Sequence, residues 1–191
     1  MIVIITARRG SKRCPDKNIM DFCEGLNLVE RTIEQARCLK PDAIIVSTDY
    51  ERDLIHDDDF VYIRREPGLC GDDVSSEAVV RDAIRRLLFG PPRDFCLLQP
   101  TSPLRSEETL VRAKEWFQTR KVPALVSLNP AYQPNGSFYF CIWDAFLMDY
   151  SLYPIGTAFW MCDWKESVDI NYKHEFRIAQ AIARGEVHGS L

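Results

Sequence analysis

The amino-acid sequence predicts an α/β protein built on a Rossmann-like, mostly parallel sheet with helices on both faces. Three observations predict this fold class. The chain opens with an unbroken apolar, β-branched run over residues 1–7, which is typical of a strand buried on both faces of a parallel sheet. Similar short apolar runs recur, and they alternate with segments of helical periodicity. Such alternation indicates right-handed crossovers between parallel strands.

The remaining elements follow in order along the chain. The first predicted helix spans 26–39, with Asn27 as its cap, and 51–56 is at best a short helix. Further strands are predicted over 43–49, 60–63, 95–98 and 124–128, and further helices over 75–88 and 106–119. Past residue 129 the pattern changes to short strands around a helical turn near 143–148, followed by a closing helix over 172–183. These late strands are predicted over 137–142, 157–162 and 167–170. Residues 1–191 are expected to form a single domain, in which 129–170 is a smaller strand-rich part.

Composition limits the function classes. Apolar residues make up 46% of the 191 residues, which is enough for a sizeable core, and the net charge of −4 argues against a general nucleic-acid binder. No apolar run approaches the roughly 18 residues of a membrane span, and no signal peptide is visible. The seven cysteines form no C-x-x-C pair and lie at no zinc-ligand spacing to the three histidines. We therefore expect a cytoplasmic protein with reduced thiols and no membrane or nucleic-acid partner.

A cationic loop follows the first strand. Five of the ten residues from Arg8 to Lys17 are basic, and Gly10, Ser11 and Asn18 stand among or beside them. Ligands of open α/β sheets bind at the carboxyl ends of the strands, where backbone N–H groups and basic side chains can hold phosphate oxygens. The loop therefore predicts a polyphosphate site. Its spacing matches neither the P-loop nor G-x-G-x-x-G, and a solvated basic face or a nucleic-acid patch is the alternative.

Other polar segments are expected at the same edge of the sheet. Residues 47–49 end one predicted strand and residues 99–105 follow another, and Arg65 and the helix start at Ser75 are expected to join them. A phosphate site also needs a divalent cation held by a carboxylate. Asp169 is the best candidate, because in an extended segment Asp169 and Asn171 face out together while residues 168 and 170 face the core. A helix cap or a turn aspartate is the alternative for Asp169.

Six segments of the chain resemble, in the same order, the motifs of the cytidylyltransferases that make CMP-activated acidic sugars. The most similar group is that of the acylneuraminate (CMP-sialic acid) synthetases, of which this chain looks like a shortened member. The segments are 7–18, 46–49, Arg65 with 69–76, 98–105, 134–139 and 167–171. The segment Gln-Pro-Thr-Ser-Pro-Leu-Arg over 99–105 is the most specific. The resemblance therefore covers nearly the whole chain.

The resemblance implies the nucleotide-diphospho-sugar transferase fold and an activity. The implied reaction is the transfer of CMP from CTP to the anomeric hydroxyl of a nonulosonic acid, with release of pyrophosphate and with Mg²⁺ as cofactor. The implied catalytic residues are Arg8, Lys12 and Lys17. The implied nucleotide-binding residues are Arg8, Ser11, Lys12, Asn18, Arg65 and Ser76. Acceptor-sugar contacts fall on Gln99, Asn135 and Tyr139, and the metal on Asp169 with Asn171 as a neutral, weaker ligand. From the residues alone, Tyr139 also fits a core position, Gln99 a strand-end amide and Arg105 a loop anchor.

Three departures from the family pattern bear on function. Arg9 stands where a small or neutral residue is usual, and Asn171 where a second aspartate is common. Only five residues, 129–133, stand where relatives carry a longer segment that packs against a second subunit and lends basic residues to its sugar pocket. We therefore expect any homodimer to be weakened or altered, and the acceptor side to be less basic. The rival interpretation is a nucleotide or phospho-sugar binding module that has lost catalytic parts.

Overall fold

The central feature of the computed structural model, which describes residues 1–88 and 90–186, is a seven-stranded sheet. The strands lie in the order β5-β4-β1-β6-β8-β7-β9, and β8 runs antiparallel to both of its neighbours while the other pairs are parallel. The sheet strands are β1 (Ile2–Ala7), β4 (Ile44–Thr48), β5 (Val61–Arg64), β6 (Asp94–Leu98), β7 (Ala124–Leu128), β8 (Pro134–Ile142) and β9 (Ala158–Met161). A separate hairpin consists of β2 (Asp21–Cys23) and β3 (Leu26–Asn27).

Within the residues that the structure describes there are five helices. They are α1 (Leu28–Arg37), α2 (Ser76–Arg85), α3 (Glu107–Arg120), α4 (Trp143–Asp149) and α5 (Lys173–Ala183). Helices α1 to α4 pack on the sheet, and α5 packs on the hairpin. Two single turns of 3₁₀-helix occupy Arg52–Leu54 and Pro67–Leu69. Asn27 caps α1 in a capping box with Glu30, and Ser75 and Ser106 cap α2 and α3 by accepting hydrogen bonds from Ala78 and Thr109.

Strand β1 lies near the middle of the sheet because both of its faces are apolar. Val3 and Ile5 pack on one face with residues of α1 and α3, whereas Ile2 and Ile4 pack on the other with residues of α2 and α4. The four side chains are at most 1% exposed. Helices on both faces require this pattern, since a strand with one polar face would bury unpaired polar groups.

The hairpin β2–β3 and helix α5 form a third apolar cluster beside the sheet. Phe22 of β2 meets Phe176 of α5 edge to face, with ring centroids 5.6 Å apart. Cys14 and Ile170 belong to the same cluster, so it reaches both the loop after β1 and the segment that precedes α5. The cluster therefore joins these two segments on one side of the sheet.

The connection between β7 and β8 is a compact five-residue loop. The Asn129 side chain accepts hydrogen bonds from the backbone N–H groups of Ala131 and Gln133, at 3.0 and 2.9 Å. The Asn129 N–H donates to the Gln133 carbonyl at 2.8 Å. An asparagine that bonds to the backbone in this way closes a tight turn, so the strands are joined directly.

The predicted fold class is confirmed, and most predicted elements are present within a few residues of their expected ends. The strand predicted over 167–170 is wrong: these residues form an irregular segment, in which the Ile170 N–H donates to the Thr101 carbonyl rather than to a neighbouring strand. The helix predicted from residue 26 begins at Leu28, because 26–27 pair with β2. The β2–β3 hairpin was missed; its two turn residues, Glu24 and Gly25, both adopt positive φ. The last five residues of the expected single domain lie outside the described range.

Within the residues that the structure describes, no helix is both long enough and apolar enough to cross a bilayer.

Gly136 is the glycine whose replacement should be most costly to the fold. It adopts φ +75°, and an added Cβ would lie 2.9 Å from Ser102 Oγ and even closer to the Gln99 amide. Gly25 has a similar φ of +79° with no atom within 4 Å of an added Cβ, so Gly25→Ala measures the backbone penalty alone. We expect Gly25→Ala to lower the free energy of unfolding by about 1 kcal/mol, and Gly136→Ala by roughly 1–3 kcal/mol more. Urea unfolding of both variants checks this, and equal losses would contradict it.

Candidate active site

A cavity of about 540 Å³ opens at the carboxyl ends of β1, β5 and β6. Ten of the twelve site residues predicted from the sequence line it. They are Arg8, Ser11, Lys12, Lys17, Asn18, Arg65, Ser76, Gln99, Asp169 and Asn171. Asn135 and Tyr139 do not line the cavity. The loops that follow different strands therefore meet at one edge of the sheet, as expected for an open α/β fold.

The cationic loop is closed at its base by Asn18. The Asn18 side chain donates to the Arg8 carbonyl at 3.0 Å, and the Asn18 carbonyl accepts from the Val29 N–H at 3.2 Å. Lys17, just before it, is 8% exposed, and its ammonium donates to the Ile170 carbonyl. Burial lowers the pKa of Lys17, and the nearby Asp169 carboxylate partly offsets this. The loop thus presents one desolvated ammonium beside Asp169.

The Asp72 carboxylate partly neutralises the positive charge of the loop. Its carboxylate forms ion pairs with the Arg8 guanidinium and, at 2.7 Å, with the Lys12 ammonium. The hydrogen bonds from Lys12 and Arg8 lower the pKa of Asp72. Asp72 lies in the loop before α2, about sixty residues from its partners, so an anion from one segment already occupies the space between two cations of another.

Arg65 is held in place by hydrogen bonds to strand β4. The Arg65 N–H donates to the Thr48 carbonyl and its guanidinium donates to the Ser47 carbonyl, both at 2.8 Å. The side chain is 5% exposed, burial lowers its pKa, and its Nε has no protein partner. Ser47 and Thr48 at the end of β4 therefore hold Arg65 in place, and of these three residues only Arg65 lines the cavity.

Gln99 is fixed by three segments. Its N–H donates to the Gly136 carbonyl at 3.3 Å, and its side-chain amide reaches Ser76 Oγ at 3.5 Å. The guanidinium of Arg105 donates to the Gln99 carbonyl. Arg105 is 2% exposed, and burial lowers its pKa to about 10. Arg105 thus anchors the segment that follows β6, and it does not itself line the cavity.

Asn135 and Tyr139 lie in β8, outside the cavity lining. The Asn135 side chain accepts from the Ser137 N–H at 3.1 Å and donates to Ser167 Oγ at 3.2 Å, so it ties β8 to the segment before Asp169. Tyr139 is 6% exposed, its ring meets Tyr153 edge to face at 6.0 Å, and burial raises its pKa. Both side chains occupy packed positions in this structure.

Asp169 and Asn171 face the cavity together, as expected, although their segment is irregular. The Asn171 amide donates to Asp169 Oδ2 at 2.8 Å, and its carbonyl oxygen accepts from the Arg13 guanidinium at 3.4 Å. Within the described part of the chain, no three His, Cys, Asp or Glu side chains are grouped to hold a metal. Magnesium in phosphate sites takes one or two carboxylates together with substrate phosphates. One carboxylate at Asp169 fits that ligand set.

Sequence reasoning assigned no role to two charged residues of the cavity, Arg13 and Asp72. Arg13 belongs to the cationic loop, and Asp72 to a segment that resembles the family, so both were visible as charges. Their contacts were not, because each is made to a residue far away in the sequence: Arg13 to Asn171 and Tyr172, and Asp72 to Arg8 and Lys12.

The chain is similar to several known proteins. An N-acylneuraminate cytidylyltransferase of Streptococcus agalactiae is 26% identical over an alignment that covers 92% of this chain and 51% of that protein. A CMP-N,N′-diacetyllegionaminic acid synthase of Legionella pneumophila is 34% identical, covering 68% of this chain and 58% of that protein. The present chain thus spans about half the length of the curated relatives it matches.

Solved structures agree on the fold. A CMP:2-keto-3-deoxy-manno-octonic acid synthetase, solved in complex with CTP, superposes with a TM-score of 0.74 at 14% identity, covering 97% of this chain and 99% of the other. At this identity the two proteins share the fold, which is that of the nucleotide-diphospho-sugar transferases. The cytidylyltransferase family model matches residues 2–129, more than half of the chain, and the chain therefore belongs to the cytidylyltransferase family.

Proposed function

We propose that this protein transfers CMP from CTP to the anomeric hydroxyl of an acidic, nonulosonic-type sugar and releases pyrophosphate. The observation that carries the proposal is the cavity at the carboxyl ends of the strands, which five cationic side chains line. They are Arg8, Lys12, Arg13, Lys17 and Arg65. A triphosphate together with an acidic acceptor carries the negative charge that such a set of cations can bind. The named relatives act on acids of this class, which supports the choice of acceptor.

The chain's own residues would act by positioning and by charge. The acceptor oxygen attacks the α-phosphorus, the bond to the bridging oxygen breaks, pyrophosphate leaves, and the hydroxyl proton is released. Negative charge on the phosphate oxygens increases along this path, so donors fixed in advance lower the barrier. In the proposal, Arg8 and Lys12 bind the β- and γ-phosphates, which leave as pyrophosphate. Lys17 is assigned to the reacting α-phosphate, because it is buried close to Asp169, the proposed metal ligand.

Magnesium is the proposed cofactor. Asp169 would hold it with phosphate oxygens, and Asn171 would add a neutral oxygen ligand. When bound, the ion neutralises phosphate charge and orients the triphosphate. Asn171 in turn orients the Asp169 carboxylate through its hydrogen bond of 2.8 Å.

Pyrophosphate release tests the proposed function directly. The purified chain is incubated with CTP, MgCl₂ and, in turn, N-acetylneuraminic acid, pseudaminic acid and N,N′-diacetyllegionaminic acid, with UTP and ATP as controls. We expect acceptor-dependent release with CTP and with at least one acid. Binding of CTP without release for any acceptor would favour the nucleotide-binding module instead, and the absence of CTP binding would contradict both interpretations.

Lys17→Ala should lower turnover by roughly 10²-fold, the scale of removing one preorganised electrostatic contact. Lys114→Ala is a matched control, because the Lys114 ammonium also donates to a backbone carbonyl, that of Leu39, and lies outside the cavity lining. The kcat of both variants is compared under saturating CTP. A Lys17→Ala enzyme as active as Lys114→Ala would remove Lys17 from the reacting phosphate.

Asn171→Asp should reduce the Mg²⁺ concentration that gives half-maximal turnover by roughly 3- to 10-fold, because added ligand charge strengthens binding of a hard cation. The reason is local: the present amide donates to Asp169, whereas a second carboxylate there would repel Asp169 until a cation lies between them. Gln118→Glu, an exposed change of equal charge on α3, is the control. An unchanged Mg²⁺ titration would show that Asn171 does not share the ion.

A further inference from the structure

The acceptor side of the proposed site has no basic residues of its own, although the proposed acceptor is an acid. Residues 122–164, which include β7, β8, α4 and β9, contain no lysine, arginine or histidine. The three predicted acceptor contacts, Gln99, Asn135 and Tyr139, are neutral. A bound carboxylate needs a cationic or strongly donating partner. Among the residues that line the cavity, the cationic side chains are the candidates for this partner.

Four of these cations already have partners. Arg8 and Lys12 share the Asp72 carboxylate. Lys17 is buried and donates to the Ile170 carbonyl, and Arg65 is buried and donates to the Ser47 carbonyl. These contacts place the four side chains against Asp72 and against the carbonyls of Ile170 and Ser47.

Arg13 differs from the other four. Arg13 is exposed, and within the described chain its guanidinium donates long hydrogen bonds to two neutral oxygens, Tyr172 Oη at 3.3 Å and Asn171 Oδ1 at 3.4 Å. The guanidinium carbon lies 4.9 Å from the centre of the Tyr172 ring, a cation–π contact that orients the guanidinium without neutralising it. Arg13 is thus placed, charged and available to a planar anion.

The position of Arg13 also fits the chemistry of the acceptor. In an ulosonic acid the carboxylate is attached to the same carbon as the attacking hydroxyl, so both must lie beside the reacting phosphate. One amide separates Arg13 from Asp169: Asn171 accepts from Arg13 and donates to Asp169 at 2.8 Å. The geometry points to Arg13 as the specificity-determining residue that binds the acceptor's carboxylate, an assignment that rests on the proposed function.

Binding measurements test the assignment independently of turnover. The protein is saturated with the α,β-methylene analogue of CTP, and calorimetry measures the affinity for each of the three acids named above. We expect Arg13→Ala to weaken acid binding by roughly 10- to 100-fold, the scale of a hydrogen bond to a charged group. Affinity for the nucleotide analogue should change by less than about threefold, within the scale of a long-range charge effect.

Two variants separate a specific contact from the general field. Arg9→Ala removes the same charge from the same loop, but Arg9 is exposed, does not line the cavity and lies 3.9 Å from Asp16, so acid binding should stay near wild type. Arg13→Lys keeps the charge and loses the planar fork, so it should restore part of the affinity. With the C1 carboxamide of the bound acid, Arg13→Ala and wild type should bind alike, because the charge to be recognised is gone.

The outcomes distinguish the assignment from the proposed function. Equal losses in Arg9→Ala and Arg13→Ala, or a loss confined to the nucleotide analogue, would overturn the role of Arg13 and leave the cytidylyltransferase proposal intact. If the wild-type protein binds an acid in the presence of the analogue but releases no pyrophosphate from CTP, the proposed reaction would be contradicted. The comparison of Arg13→Ala with wild type would still show whether Arg13 binds the carboxylate. Wild-type protein that binds none of the three acids would overturn both.

Discussion

Like charges gathered at one edge of the sheet are the constraint on which the rest of the site depends. Five cationic side chains line one cavity, and their mutual repulsion opposes the folded arrangement. The chain offsets it with the Asp72 carboxylate and with carbonyl oxygens from β4 and from the segment before α5. Each of these acceptors lies on a different segment, so compensation of the charge depends on the tertiary structure.

The sheet brings those acceptors to one edge because of its apolar pattern. A strand whose two faces are both buried needs helices on each side, and parallel pairing then brings the loops after β1, β5 and β6 to one edge. The antiparallel strand β8 adds polar backbone from the other direction, and its Gly136 allows the Gln99 segment to approach closely. Core packing and site geometry are therefore consequences of the same strand order.

Much of this was predictable, and the remainder has physical reasons. Strands such as 44–48 were evident because a short apolar run between polar ends has few alternatives in an α/β chain. The segment around Ile170 has the same local alternation as a strand, yet it bonds to the Thr101 carbonyl, a choice made by tertiary contacts. The sequence also predicted that the cationic loop lies at the strand-end edge of the sheet, and residues of this loop line the cavity. It could not identify the pairing of Lys12 with Asp72 or of Arg13 with Tyr172, because long-range partners have no local signature.

Ile170 illustrates how tightly the edge is connected. Its N–H is bound by the segment after β6, its carbonyl by Lys17, and its side chain is fully buried against the hairpin and α5. One residue thus connects the loop after β1, the segment after β6 and the segment before α5. Lys17 and Thr101, which both line the cavity, are therefore linked through the carbonyl and the N–H of Ile170. The loops at the rim of the cavity are in this way bonded to one another, so the rigidity of the rim depends on all of them together.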